Sequence, residues 1–150
     1  MSLDARTAKA IGTLDVRARA RFEAFAADAQ EIAQHYGCDY RGICGHRSWE
    51  EQDRLYTQRP KVTNAAGGYS NHNFGIAMDF GVFRGKCYLD ASNPELADMV
   101  HAACGAIAGE HGLEWGGDWK RFKDFPHYEI RTGLSLAEKR KLYQKKGTVL

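Results

Sequence analysis

No stretch of this 150-residue chain approaches the roughly 18 continuous apolar residues of a membrane span. Residues 1–15 hold no apolar h-region, so no secretory signal is expected and release from the cytoplasm would need another agent. Charge of neither sign dominates. The net value of +2 is too mild to argue for nucleic acid, and basic and aromatic residues are not interleaved. Cysteine is scarce, and Cys38, Cys44, Cys87 and Cys104 do not form the paired spacing of a structural zinc site. Reduced, mostly buried thiols are therefore expected, with a Cys38–Cys44 disulfide as the alternative in an oxidising compartment. Repeats, low-complexity tracts and Pro/Gly/Ser-rich linkers are missing, which leaves no visible domain boundary. What remains is an ordinary globular composition, 43% hydrophobic and 27% charged, at a length that suits one domain around one core.

Periodicity and capping signals divide the chain. Ala18, Phe22, Phe25, Ala29, Ile32 and Tyr36 recur at spacings of three and four and predict a helix over 14–36, with Thr13 as its cap and Gly37 as its stop. Residues 39–47 read as a short strand. Ser48 to Glu51 is a capping box that opens a second helix, which must stop before Pro60. Residues 61–73 are polar and Gly-rich and read as an exposed loop. The alternation over 76–83 predicts a strand, with Arg84-Gly85 turning into a returning strand over 86–89. Asn93-Pro94 opens a third helix running to about residue 111, with Leu96, Val100, Ala103 and Ile107 inward and Gly112 as its stop. A short strand and Gly-Gly loop follow over 113–119, then a strand over 125–130. Ser135 to Glu138 is another capping box, opening a basic last helix at about 135–147. The expected fold is α+β: a small antiparallel sheet carries the site residues and helices pack on one side.

The chemistry concentrates in two blocks. Ser70-Asn71-His72-Asn73-Phe74-Gly75-Ile76-Ala77-Met78-Asp79 sets a histidine and a carboxylate seven residues apart, with Gly75 where the backbone can turn. Asp124-Phe125-Pro126-His127 adds a second histidine with a carboxylate three residues before it. His72, Asp79 and His127 make a three-ligand zinc set with a fourth position open, the mark of a catalytic rather than a structural zinc. Asp124 is the residue type that takes a proton from an attacking water. Arg47, after the first strand, is a guanidinium suited to a substrate carboxylate or to charge on an attacked carbonyl oxygen. Each also has a plainer reading: His72 as a surface histidine, His127 as a satisfied core histidine, Asp124 as a loop residue, Arg47 as a partner of Glu50 or Glu51.

These residues resemble the zinc D-Ala-D-Ala carboxypeptidase and L-alanyl-D-glutamate endopeptidase family, which has the hedgehog/DD-peptidase fold and cleaves peptidoglycan stem peptides. The pattern S-x-H-x-x-G-x-A-x-D is met by Ser70, His72, Gly75, Ala77 and Asp79. An acidic residue three before a histidine that is followed by an aromatic and a Glu is met by Asp124, His127, Tyr128 and Glu129. An upstream R-S-x-x-E-Q-x-x-L-Y block is met by Arg47, Ser48, Glu51, Gln52, Leu55 and Tyr56. The resemblance implies zinc on His72, Asp79 and His127, Asp124 as catalytic acid/base, and Arg47 binding substrate or transition state. It also implies that Ser70 supports the first ligand or touches substrate. Within that family the chain resembles the compact endolysin-like endopeptidases of bacteriophages and their bacterial relatives. The implied life history is synthesis in the host cytoplasm, release by a holin-type lysis system and action on the cell wall. Two departures stand out: a short loop after Tyr56, and Asp124 where many relatives carry Glu.

Residues 1–150 are thus expected to be a single zinc peptidase domain, monomeric, with bacterial peptidoglycan as its partner and no nucleic acid or membrane span. The competing readings are a D-Ala-D-Ala carboxypeptidase or dipeptidase, and a non-catalytic zinc-binding domain of the same fold. The basic run Lys139-Arg140-Lys141 to Lys145-Lys146 reads as a solvated helix face, or as an electrostatic contact with an anionic envelope.

Overall fold

A computed structural model describes residues 2–150. Five strands form one antiparallel sheet: β1 (Asp39–Cys44), β2 (Ala77–Arg84), β3 (Cys87–Tyr88), β4 (Leu113–Trp115) and β5 (His127–Ile130). Their order is β1-β2-β5-β4, and β3 pairs with β2 through a turn at Gly85-Lys86, one residue later than the expected Arg84-Gly85, because Arg84 still pairs with Cys87. The helices are α1 (Ala5–Gly12), α2 (Arg19–Gln34), α3 (Trp49–Thr57), α4 (Leu89–Ser92), α5 (Pro94–Gly105) and α6 (Leu136–Lys146). No described helix is long and apolar enough to cross a membrane.

The period-two alternation of β2 and β5 creates two faces. Phe80 and Tyr128 point to the layer of α2 and α5, where Phe25 packs on both rings at 5.4 and 4.5 Å between centroids. Asp79 and His127, one residue off, point to the opposite face. The buried side holds one polar chain: Tyr40 Oη meets His101 Nδ1 at 2.6 Å and Tyr128 Oη at 2.7 Å, and His101 Nε2 meets Asp90 at 2.6 Å. Satisfied in this way, those groups are held in an apolar core without the cost of lost hydration.

The helix expected over 14–36 spans only Arg19–Gln34, and a separate helix, α1, precedes it where none was expected. Asp4 caps α1 by accepting from Thr7 N at 2.9 Å, and Thr13 closes α1, its hydroxyl donating to Ala10 O, rather than capping α2. The chain breaks at Asp15 because its N–H donates to Gly75 O at 3.0 Å, a tertiary bond invisible to periodicity. Ala18, Phe22, Phe25 and Ala29 are buried as expected, but Tyr36 is exposed. The strand expected over 39–47 ends at Cys44, where the register with β2 slips. The third helix ends at Gly105, and a 3-10 turn, Ala108–His111, completes the segment before Gly112. Its buried face is Ala97, Val100, His101 and Cys104, one residue round from the predicted stripe. The segment 61–73 is not exposed throughout, since His72 and Asn73 are buried. Ser48 and Ser135 cap their helices as expected, accepting from Glu51 N and Glu138 N at 3.0 and 3.1 Å, without the return bond from the glutamate side chain that a full capping box carries. All four cysteines are free. Cys38 and Cys104 are buried, Cys44 is half-buried and Cys87 is exposed.

Candidate active site

Ser70 starts the site. Its hydroxyl accepts from His72 N at 3.3 Å and caps a 3-10 turn, Asn71–Phe74, that buries His72. Gly75 ends that turn at φ +70°, and β2 begins two residues later. Asn73 ties the turn to its surroundings. Its Oδ1 accepts from Gly68 N and Ser70 N, and its Nδ2 donates to Arg47 O. Arg47 N in turn donates to His72 O at 3.0 Å, so the upstream Arg47 block and the Ser70–Asp79 block are stitched backbone to backbone.

Asp79 is the centre. Its Oδ1 lies 3.2 Å from His72 Nε2 and 3.1 Å from His127 Nδ1. The far nitrogens are both committed: His72 Nδ1 donates to Gly45 O at 2.9 Å, and His127 Nε2 donates to Glu129 Oε1 at 2.8 Å. A carbonyl and an ionised carboxylate only accept, so in the neutral rings the protons sit on the outer nitrogens. Two bare inner nitrogens then face one carboxylate oxygen, an arrangement that calls for positive charge between them. Three donors of these types, two with their outer nitrogens held, fit a zinc ion.

The electrostatics agree. Burial opposes charge on His72, but the charge and hydrogen bond of Asp79 outweigh it and raise its pKa to about 10. Burial likewise opposes charge on His127, and hydrogen bonds to Asp79 and Glu129 raise it to about 9. Burial would raise Asp79, but His72 and His127 hold it well below the ordinary carboxylate range. The site binds positive charge, as protons or as a metal.

The metal-ligating atoms fall into two overlapping sets, each with all its atoms within 4.8 Å: Asp79, Asp124 and His127, and Cys44, His72 and Asp79. Asp124 is thereby brought to the ligand cluster. Partial desolvation, then the charge of Asp79, push its carboxyl above the ordinary value, as suits a group that must accept and return a proton. Arg47 opens on the same cleft, together with Ser70, Tyr69, Asn71, Trp119 and Lys139. Its guanidinium is fixed by Gln52 Oε1 at 2.9 Å and Cys44 Sγ at 3.2 Å, and the fully buried Gln52 is itself anchored to Ala65 O.

All six expected site residues therefore line one cleft. Sequence reasoning gave no role to four neighbours. Glu129 sits two residues past His127 on a strand and so shares its face, a spacing signal that could have found it. Asn71 Nδ2 donates to Glu129 Oε2 at 2.7 Å, and Lys139 Nζ donates to Asn71 Oδ1 at 2.6 Å. The expected solvated face of the last helix thus buries one lysine, Lys139, at the cleft. Cys44 joins the cluster only because of the register slip at the end of β1.

A family model described as D-alanyl-D-alanine carboxypeptidase matches residues 63–130. The peptidoglycan L-alanyl-D-glutamate endopeptidase CwlK of Bacillus subtilis (strain 168) is 41% identical over 116 residues, 69% of this chain and 68% of that protein. The L-Ala D-Glu endopeptidase ChiX of Serratia marcescens has the same fold, with a TM-score of 0.56 at 21% identity over 86% of this chain and 89% of its own. The vancomycin resistance D,D-pentapeptidase VanY from the VanB-type cassette, solved with Zn(II), gives 0.51 at 15% identity over 90% of this chain and 80% of its own.

Proposed function

The chain belongs to the M15 peptidase family and is a peptidoglycan metallopeptidase, and on that premise we propose that it is a zinc-dependent L-alanyl-D-glutamate endopeptidase. The observation that carries the proposal is the pair of inner nitrogens, His72 Nε2 and His127 Nδ1, converging on one oxygen of Asp79 with Asp124 in the same cluster. The stem-peptide bond is proposed from the 41% identical relative, whose name states that cleavage. Zinc is further supported by the VanY neighbour, which carries it.

His72, Asp79 and His127 hold the ion. When bound, it supplies Lewis acidity to the scissile carbonyl and acidifies the attacking water. Asp124 takes the proton of that water and returns it to the leaving amine, the two-way role for which a raised pKa suits it. Arg47, held by Gln52 and Cys44, presents a fixed guanidinium to a substrate carboxylate or to the developing oxyanion. Ser70 keeps the His72 turn in register through its cap.

The test is elemental analysis of purified protein together with mass spectrometry of digested peptidoglycan. About one zinc per chain, with new L-Ala and D-Glu termini that chelator abolishes, is expected. Free D-alanine instead would reassign the cut to a carboxypeptidase, the description the family model carries. Bound zinc without cleavage of any wall type would leave a non-catalytic domain. We also propose the phage-lysis setting, on the sequence resemblance alone. Host cells making the protein should lyse only when a holin is co-expressed, and lysis without one would remove that setting.

A further inference from the structure

Lys139 stands one turn into α6 and is only 7% exposed. Lysines this deeply buried are almost always paired with an opposite charge. No carboxylate forms an ion pair with this one among the described residues. Its recorded bond runs to a neutral acceptor, Asn71 Oδ1, at 2.6 Å, whereas an ammonium has three N–H donors. The Glu129 carboxylate beyond Asn71 is already committed, Oε1 to His127 and Oε2 to Asn71. Burial accordingly pulls the Lys139 pKa below its ordinary value, with the charges of Glu129 and Glu114 opposing. The stability of α6 does not explain the placement either. The macrodipole at the start of a helix favours anions over cations. A buried cation with two open donors lacks an anion.

The cleft supplies one when substrate enters. Lys139 lines it together with Asp124 and the proposed zinc ligands, and Leu134 and Leu136 flank it there. Arg47 is the other cation lining that cleft among the described residues. The two approach the ligand set from different histidines. Arg47 bonds Cys44, whose Sγ lies 3.9 Å from His72 Nδ1, while Lys139 connects through Asn71 and Glu129 to His127. We propose that Lys139 binds a carboxylate of the stem peptide on the leaving-amine side of the scissile bond, and so selects which stem peptides are cut. The proposal rests on the endopeptidase reading. L-Ala joins the glycan through its amine, so every stem carboxylate lies on the D-Glu side of an L-Ala–D-Glu cut. D-Glu continues the chain through its γ-carboxyl, which leaves its α-carboxylate free, and the peptide ends in a second carboxylate. Either one would accept from the open donors of Lys139 as a charge-assisted pair.

The experiment is cleavage kinetics of the zinc-loaded full chain on synthetic stem peptides. An N-acetylated peptide with both carboxylates free is compared with its D-Glu α-amide and with its C-terminal amide. The natural protein should lose about 10–100-fold in kcat/KM on one of the two amides, mostly through KM, as when one partner of a charged hydrogen bond is removed. The amide that suffers identifies the carboxylate. Lys139→Gln should cut that amide and the free acid equally well, and Lys139→Arg, which keeps the cation, should keep the preference. A preference that survives in Lys139→Gln would overturn the proposal, leaving Lys139 as a support for Asn71 and the carboxylate to Arg47. Indifference of the natural protein to both amides would overturn it as well. Failure of the zinc-loaded natural protein to cut any of the three would remove the endopeptidase reading, and the proposal with it. Should Lys139→Gln not fold, Lys139→Met, which keeps the buried apolar stem, takes its place under the same expectations.

Discussion

Glu129 holds His127 from behind, its Oε1 accepting from Nε2 at 2.8 Å so that Nδ1 is the nitrogen turned to Asp79. The carboxylate is fixed in turn by Asn71, which receives Lys139 from α6. Partners of this kind fix the ring and its tautomer, and their loss weakens metal binding by about 10–100-fold. Glu129→Ala is expected to fall in that range. Glu129→Gln, which keeps an acceptor oxygen, should lose less. Competition against a chromophoric chelator measures both, and an unchanged zinc affinity in Glu129→Ala would remove the positioning role.

Asp124 separates chemistry from binding. It stands with Asp79 and His127, yet its proposed task is proton transfer. Asp124→Ala should retain zinc and lose about 10²–10⁴-fold in turnover, the usual contribution of a general acid–base group. His127→Ala should lose zinc and part of the fold's stability with it. Near-full hydrolysis by Asp124→Ala would end that assignment.

Much of this site is legible in the sequence because its signals are local. The Ser70 cap, the Gly75 turn and the seven-residue step from His72 to Asp79 all lie within one segment, and β5 carries His127 by simple alternation. What stayed hidden depends on contacts distant in sequence. The break between α1 and α2 follows from Asp15 bonding Gly75, sixty residues away by number. Cys44 reaches the cluster through a register slip that no hydrophobic pattern encodes. Lys139 looks like one more charge on a basic helix until Asn71 receives it. The inward face of α5 departs from its apolar stripe because His101 is buried by bonding Tyr40 and Asp90, which apolar periodicity does not count.

Metal and protons compete for the same nitrogens, which fixes a pH dependence. In the metal-free protein His72 and His127 have pKa values of about 10 and about 9, above the ordinary 6.5. A raised folded-state pKa contributes stability that is complete below 6.5 and is lost as pH rises through 9–10. Asp79 is lowered, so its contribution is present above its ordinary 3.8 and is lost as pH falls below that value. The chelated protein should therefore lose stability as pH climbs from about 6.5 to about 9, while zinc, which needs unprotonated nitrogens, should bind more tightly over the same span. Thermal unfolding with and without zinc across that range checks both. A zinc-induced rise in Tm that shrinks with pH would contradict the proton–metal competition.

Gly75 links the site to the fold. Its φ of +70° lies in the left-handed region that side chains disfavour, and a Cβ there would stand 2.6 Å from Asp15 N, against backbone that cannot swing aside. The Asp15–Gly75 bond in the connection between α1 and α2 would have to lengthen, and the turn presenting His72 would move with it. Gly75→Ala is expected to cost about 1–3 kcal/mol, the range for a residue forced into a strained backbone region. Because the strain falls between the His72 turn and the strand of Asp79, zinc affinity should drop together with stability. Gly85→Ala makes the comparison informative: Gly85 has φ +60° but open space around it, so it carries the conformational cost without the clash. Urea unfolding and zinc titration of the two variants side by side should show Gly75→Ala worse in both, with Gly85→Ala losing stability alone. Equal losses in the two would mean that the contact with Asp15 contributes nothing beyond the backbone angle.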